Sequence, residues 1–114
     1  MAYDSIDSKT AISINKDIIR WRNMHSLVKA NNERWYIGIT NNPERRKKQH
    51  KSKSLKEGYN VSFFEFWYAK TINISSAIET YWHLQGMLET DQKGNIKTTS
   101  VYVYVFKKYP IFRR

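Results

Sequence analysis

The feature that most constrains the fold is a short apolar segment, residues 34–40, that runs directly into a helix-start signal. Asn41-Asn42-Pro43-Glu44 supplies an Asn cap, a proline in the first helical position and an acid in the first turn, which predicts a helix through Lys51. Before the segment, Ala30-Asn31-Asn32-Glu33 is typical of a tight turn, because Asn tolerates positive φ. We therefore expect a hairpin whose other strand covers residues 24–29.

Patterning over the rest of the chain predicts two more helices and two more strands. In chain order we expect a loose start over 1–12, a helix over 15–23, a strand over 61–69, a helix from Ser75 or Ser76 to about Glu89, and a strand over 99–106. This order favours an α+β fold with a small, mainly antiparallel sheet of three to four strands flanked by helices.

The charge of the chain indicates a polyanionic partner. Twenty Lys and Arg against ten Asp and Glu give a formal net charge of +10, which favours nucleic acid first and an acidic membrane surface second. Seven cations and no acid lie between Arg45 and Lys56, so this segment would present a positive face to phosphates. The alternative is a solvated helix that only keeps the chain in solution. The residues assigned to nucleic-acid contacts are Arg45, Lys47, Lys48, Lys51 and Lys53.

Several classes of protein are disfavoured by what the sequence lacks. There are no cysteines, so disulfides and thiolate metal sites are excluded. No apolar run reaches membrane-spanning length, and the first residues lack the pattern of a signal peptide. A cytoplasmic protein with no membrane partner is expected.

The stretch from Trp35 to His50 carries a specific motif. Tyr36-Ile37-Gly38 lies in the predicted strand, Arg46 follows eight residues after the glycine, and His50 follows four residues later. In residue type and spacing this stretch resembles the second motif and first helix of the GIY-YIG endonuclease family. The resemblance implies that Arg46 is catalytic, with His50 beside the phosphate, and that Glu79 on a later helix is catalytic and holds Mg²⁺ or Mn²⁺. A single carboxylate suffices for such an ion, since magnesium keeps most of its waters.

The chain departs from the family in the first motif. Eleven residues before Tyr36 the family has the Tyr of a Gly-Ile-Tyr-like tripeptide, and here the tripeptide is Asn23-Met24-His25. In one interpretation His25 replaces that tyrosine as general base or water-orienting group, because its pKa lies near neutrality. In the other, the site has decayed and the fold survives as a binding module. Convergence of His25 with Arg46 and Glu79 on one cleft would support an enzyme, and a His25 buried in the core would count against it.

The resemblance implies a GIY-YIG-like domain over residues 13–114 that hydrolyses phosphodiester bonds in DNA with a divalent metal. His25 or Tyr36 would deprotonate or orient the nucleophilic water, and Arg46 would neutralise the charge that grows on the phosphate. Glu79 would hold the metal. His83 lies one turn after Glu79, but two ligands on one helix are a weak signal without a third, and an ordinary polar position is favoured.

Two other functions stay open from sequence. One is a catalytically inactive nucleic-acid-binding module on the same fold, and the other is a basic protein-interaction or inhibitor module. DNA is favoured over RNA as the partner. The sequence has no separate recognition domain, so we expect weak or structural specificity, or a partner protein that supplies targeting. A homodimer is the other expectation, because one small nuclease site must pair or act twice to cut both strands.

Overall fold

A computed structural model of the chain describes residues 5–26, 34–89 and 99–111. In chain order its elements are α1 (Ser5–Met24), β1 (Trp35–Thr40), α2 (Pro43–Lys56), β2 (Tyr59–Tyr68), α3 (Ile72–Leu84), β3 (Leu88–Glu89) and β4 (Tyr102–Pro110). The four strands form one sheet in the order β2-β4-β1-β3. β4 is antiparallel to both of its neighbours, and β3 is parallel to β1. The predicted α+β fold with a mainly antiparallel sheet is confirmed.

One face of the sheet, which we call the core face, carries the apolar residues of the central strands. Trp35, Ile37 and Ile39 alternate along β1, and Val103 and Val105 do so along β4, so each set points to one side. Helices α1 and α3 cover this face, and all of these side chains are almost fully buried. The helices complete the core with Ile14, Ile18, Ile74, Ile78 and Trp82.

The opposite face, which we call the α2 face, is aromatic rather than aliphatic. Tyr36 of β1 and Tyr104 and Phe106 of β4 lie on it, because they alternate with the core residues. Helix α2 packs across these rings through His50 and Ser54, its buried residues in the middle and last turns. The candidate site therefore lies between a basic helix and an aromatic sheet surface.

Helix α1 begins ten residues before the predicted helix. Residues 5–12, expected to be a loose start, are helical, and the helix continues to Met24. The reason is an apolar stripe at helical spacing that packs on the core face and starts earlier than Ile18. Its members are Ala11, Ile14, Ile18 and Trp21.

The strand predicted over residues 24–29 does not pair with β1 in the part that the structure describes. Met24 is the last residue of α1, and His25 forms a turn whose amide donates to the Trp21 carbonyl at 3.2 Å. Residues 27–33, including the predicted turn, lie outside the described residues. At Tyr36 both edges of β1 are occupied, by Phe106 on one side and Leu88 on the other.

Helix α2 begins as predicted and runs farther. The Asn42 side chain accepts a hydrogen bond from the Arg45 amide at 3.1 Å, so the Asn cap is confirmed. The helix continues to Lys56 instead of ending near residue 51, because Ser54 is buried against the sheet. The chain then leaves the helix at Gly58, whose φ of +87° favours glycine.

Helix α3 begins earlier and ends earlier than predicted. Its cap is Thr71, whose hydroxyl accepts from the Ile74 amide at 3.2 Å, whereas Ser75 is buried and donates to the Ser100 carbonyl at 2.7 Å. The helix ends at Leu84, since Gly86 has a φ of +103° and turns the chain toward β3. None of the described helices is long and apolar enough to cross a membrane.

Candidate functional site

A buried histidine lies at the centre of the α2 face. His50 is 6% exposed, and its Nε2 lies 3.0 Å from the hydroxyl of Tyr104 and 3.4 Å from Nη2 of Arg46. The imidazole also packs against Phe106, with ring centroids 4.7 Å apart. One turn of α2 separates Arg46 from His50, which places both side chains on the same side of the helix. The helix and β4 thus bring three polar groups together.

The surroundings of His50 keep its imidazole neutral. Burial lowers the pKa of His50 to about 4, and the nearby charges of Arg46, Lys108 and Lys53 lower it further in the same direction. A neutral imidazole has one nitrogen that accepts and one that donates. Because a guanidinium can only donate, the tautomer with its proton on Nδ1 suits this geometry. In that tautomer Nε2 accepts from Arg46 and from the Tyr104 hydroxyl.

Arg46 is held in place by its own helix. Its Nη1 donates to Oε1 of Gln49 at 2.8 Å, so two different neighbours, Gln49 and His50, fix the guanidinium. Among the residues that the structure describes, no acid forms an ion pair with Arg46. Its positive charge is therefore available to a phosphate beside His50.

A pocket of about 260 Å³ opens next to His50. Tyr36 and Phe106 form an aromatic wall, with parallel rings 5.2 Å apart, and the lining also includes Lys53 and the ion pair of Lys108 with Glu57 at 3.8 Å. Burial raises the pKa of Tyr36, and nearby Tyr59 and Glu57 raise it further. The Tyr36 hydroxyl therefore keeps its proton and acts as a hydrogen-bond donor.

Glu89 of β3 lines this pocket, and its carboxylate is near enough to Glu79 of α3 to repel it. Burial raises the pKa of Glu79 to about 7, and repulsion by Glu89 contributes to the rise. Glu89 lines the pocket, whereas Glu79 does not. In the described ranges neither carboxylate has an ion-pair partner.

The carboxylates offer hard oxygen ligands of the kind that magnesium and manganese bind. The described residues include no group of three or more His, Cys, Asp or Glu side chains that could hold a metal ion. His83 accordingly does not complete a site with Glu79. A carboxylate pair still fits a hydrated magnesium ion, because that ion keeps several waters and needs only one or two carboxylates.

His25 lies apart from these groups. Its ring stacks on Phe63 with centroids 4.3 Å apart and meets Trp21 edge to face at 5.2 Å. Trp21 packs against Trp35 on the core face, the opposite side of the sheet from Tyr36. The predicted convergence of His25 with Tyr36, Arg46 and Glu79 on one cleft is therefore not seen. In the described part of the expected strand, Met24 ends α1 and His25 lies in the turn that follows.

Tyr104 is a site residue that the sequence did not indicate, and so are the pocket residues Glu89, Phe106 and Lys108. Tyr104 comes from β4, which lies antiparallel to β1 with Gly38 opposite Tyr104. The sequence signal was the alternation of Val with Tyr and Phe over residues 99–106, which predicted a strand with two usable faces. What the sequence did not reveal was that this late strand pairs with β1.

The five residues assigned to phosphate contacts all lie on α2. Lys47 is half-buried and the other four are exposed, and Arg45 is held by a 2.9 Å bond from its Nη2 to Oδ1 of Asn41. The helix therefore presents a continuous positive surface beside the pocket. The exposed members are Arg45, Lys48, Lys51 and Lys53.

The fold and the site define a small basic α+β domain with a polar pocket beneath a positively charged helix. Residues 14–95 match the family model described as the GIY-YIG catalytic domain, which is more than half of the chain. The chain belongs to the GIY-YIG family, as its sequence predicts, and this membership supports a nuclease-type function. The same comparisons give no match to a curated protein and none to a solved structure. Strand β4, with Tyr104, lies beyond the matched residues.

Proposed function

We propose that this protein is a metal-dependent endonuclease that hydrolyses phosphodiester bonds in DNA. The observation that carries the proposal is the contact of Tyr104 and Arg46 with a neutral His50 that lines the pocket. Membership of a nuclease family favours DNA as the substrate. We also propose that residues 13–114 act as one catalytic domain, paired in a homodimer or directed by a partner protein.

In this proposal His50 and Tyr104 position the attacking water. Nε2 of His50 is unprotonated near neutral pH and accepts a hydrogen bond from the Tyr104 hydroxyl, whose oxygen in turn accepts a hydrogen bond from the water. Tyr36, which keeps its proton, donates a hydrogen bond into the pocket and orients the water or the scissile phosphate. Tyr104 thus takes the role that the sequence analysis gave to His25.

Arg46 and the carboxylates stabilise the negative charge of the phosphate, Arg46 directly and the carboxylates through a bound metal. Arg46 donates to the phosphate oxygens and neutralises the charge that develops during attack, which is commonly the largest contribution of such a site. Glu79, with Glu89 beside it, would hold the metal. A bound divalent cation supplies positive charge to the leaving oxygen.

The test is a plasmid-nicking assay with Mg²⁺ or Mn²⁺ on the wild type, Arg46→Ala and Glu79→Ala. Arg45→Ala is the matched control, because Arg45 is the exposed neighbour and does not contact His50. We expect metal-dependent cutting that both site substitutions reduce by about a hundredfold or more, with a much smaller effect of the control. Binding without cutting by the wild type would overturn the nuclease and favour the inactive module.

A further inference from the structure

Beyond the pocket, the α2 face continues into three aromatic rings that the helix does not cover. Phe66 and Tyr68 of β2 are cross-strand partners of Tyr104 and Tyr102, so all four lie on the same face of the sheet. We call Phe66, Tyr68 and Tyr102 the aromatic patch. Because β2 is the outermost strand of the sheet on this side, the patch borders open solvent.

The patch differs from the rest of the face in its exposure. Phe66 is 37% and Tyr68 is 57% exposed, whereas Tyr104, the cross-strand partner of Phe66, is fully buried. Their rings are nevertheless grouped, since both lie within 6.0 Å of the Tyr102 ring centroid. Two of the three rings lie on the edge strand β2, inclined by 76° and 46° to the Tyr102 ring, and they leave exposed aromatic surface that packing within the chain does not cover.

Positive charge flanks the patch. The first turn of α2 adjoins it, because Thr40 pairs with Tyr102 at the end of β1 and Asn41 holds Arg45 by a 2.9 Å hydrogen bond. From Arg45 the cations continue along the helix with no acid before Glu57. The acid nearest the patch in sequence is Glu65, whose Oε1 accepts from the Phe66 amide at 3.0 Å.

We infer that the aromatic patch stacks unpaired bases of a single-stranded segment in the substrate while α2 binds the adjoining phosphates. Flat rings beside a positive groove are the chemistry that binds single-stranded nucleic acid, since bases stack on the rings and the backbone follows the cations. The bases of an intact duplex are stacked on one another and cannot reach such a surface. The inference rests on the proposed function only in taking nucleic acid as the substrate.

The test measures binding without cleavage. Full-length protein is titrated in EDTA against labelled strands of about twelve nucleotides, as DNA, as RNA and as a blunt DNA duplex, by fluorescence anisotropy. The double variant Phe66→Thr with Tyr68→Thr removes two rings and keeps residues that suit a strand. Tyr81→Ala is the control, because Tyr81 is an equally exposed tyrosine on α3, which covers the opposite face.

We expect the double variant to bind single strands about tenfold more weakly and the duplex less than about twofold more weakly. A 2-aminopurine base in the single strand should be quenched by the wild type and not by the variant. The DNA and RNA arms identify which strand the patch accepts. Tyr68→Leu, which keeps apolar volume but removes the ring, serves if the double variant fails to fold.

The inference is overturned if single strands and duplex lose affinity equally, or if neither loses any. If the wild type nicks DNA but the double variant shows one of these binding results, the proposed function stands and only the role of the aromatic patch is rejected. Conversely, the expected loss of single-strand binding in a protein that never cuts would support the patch and overturn the nuclease.

Discussion

The hydroxyl of Tyr104 lies 3.0 Å from Nε2 of His50, although 54 residues of chain separate them. This contact joins β4 to α2 and gives the site a tyrosine, which the described residues before β1 do not supply. Its consequence is that a strand outside the family match completes the candidate site. The integrity of the site should therefore depend on the Tyr104 hydroxyl rather than on His25.

Replacing Tyr104 by phenylalanine tests this dependence. The ring stays in the sheet, but His50 loses its hydroxyl partner, so we expect nicking to fall by about a hundredfold, the usual effect of removing one positioned hydrogen-bonding group from an active site. The cost in folding free energy should be about 1 kcal/mol, the value of one hydrogen bond. Nicking rates and urea unfolding measure the two effects.

Two controls accompany this variant. Tyr102→Phe removes a hydroxyl from the same strand and face but outside the His50 contact, and it should retain activity. His25→Ala removes a side chain that packs on Phe63, and it should change nicking by less than about threefold. If His25→Ala lost most of its nicking activity and Tyr104→Phe kept it, His25 rather than Tyr104 would be the residue on which the site depends.

Local signals in the sequence were sufficient for the basic helix. The Asn42 cap, the proline after it and the spacing from Arg46 to His50 are properties of adjacent residues, and each is found as expected. These signals act within one or two turns, so no tertiary contact was needed to predict them.

Long-range pairing could not be predicted in the same way. Alternation shows that residues 99–106 form a strand, but it does not say which strand is its neighbour. The sequence therefore did not identify Tyr104 as a neighbour of the site, and His25 was expected on a strand beside β1 because the partner of β1 was assumed to precede it in the chain. Helix α1, whose stripe includes Ile14, occupies the core face instead.

The buried imidazole predicts a dependence of stability on pH. Because the pKa of His50 is lowered to about 4 from 6.5, the unfolded chain takes up the proton first as the pH falls. The neutral imidazole contributes its full stability above pH 6.5, and this contribution is lost as the pH falls from 6.5 to about 4. When the pH is lowered from about 7.5 to 4.5, the free energy of unfolding should fall by about 2 kcal/mol more in the wild type than in His50→Gln, because the glutamine amide does not titrate. Urea unfolding of both proteins at the two pH values checks this, and equal losses would contradict it.

The carboxylate pair predicts the opposite trend. Because the pKa of Glu79 is raised to about 7 from 4.5, the folded state holds its proton longer, and stability is lost as the pH rises through this window. When the pH is raised from about 4.5 to 8, the wild type should lose about 1 kcal/mol more folding stability than Glu79→Gln, after allowance for the partial exposure of Glu79. Glu44→Gln, which changes an exposed carboxylate in the first turn of α2, should show no such gain.

Metal binding should restore the stability that the wild type loses when Glu79 ionises at high pH. At about pH 8, Mn²⁺ should raise the Tm of the wild type, because a ligand that binds only the folded state stabilises it. Mn²⁺ should not change the Tm of Glu79→Gln. EDTA should abolish the rise in the wild type. An equal rise in both proteins would place the metal elsewhere.

The positive surface of α2 predicts how binding depends on salt. Each phosphate neutralised by a lysine contributes about 0.9 to the slope of log affinity against log salt for duplex DNA. Lys48→Gln with Lys51→Gln should therefore reduce the slope by about 2, with little effect on folding, since Gln and Lys favour helices similarly. Lys9→Gln with Lys16→Gln makes the same charge change on exposed residues of α1, which covers the opposite face, and should leave the slope within about 0.5 of the wild type. Fluorescence anisotropy over a salt series in EDTA measures both slopes. Equal reductions in the two double variants would mean that net charge, rather than the α2 surface, determines binding.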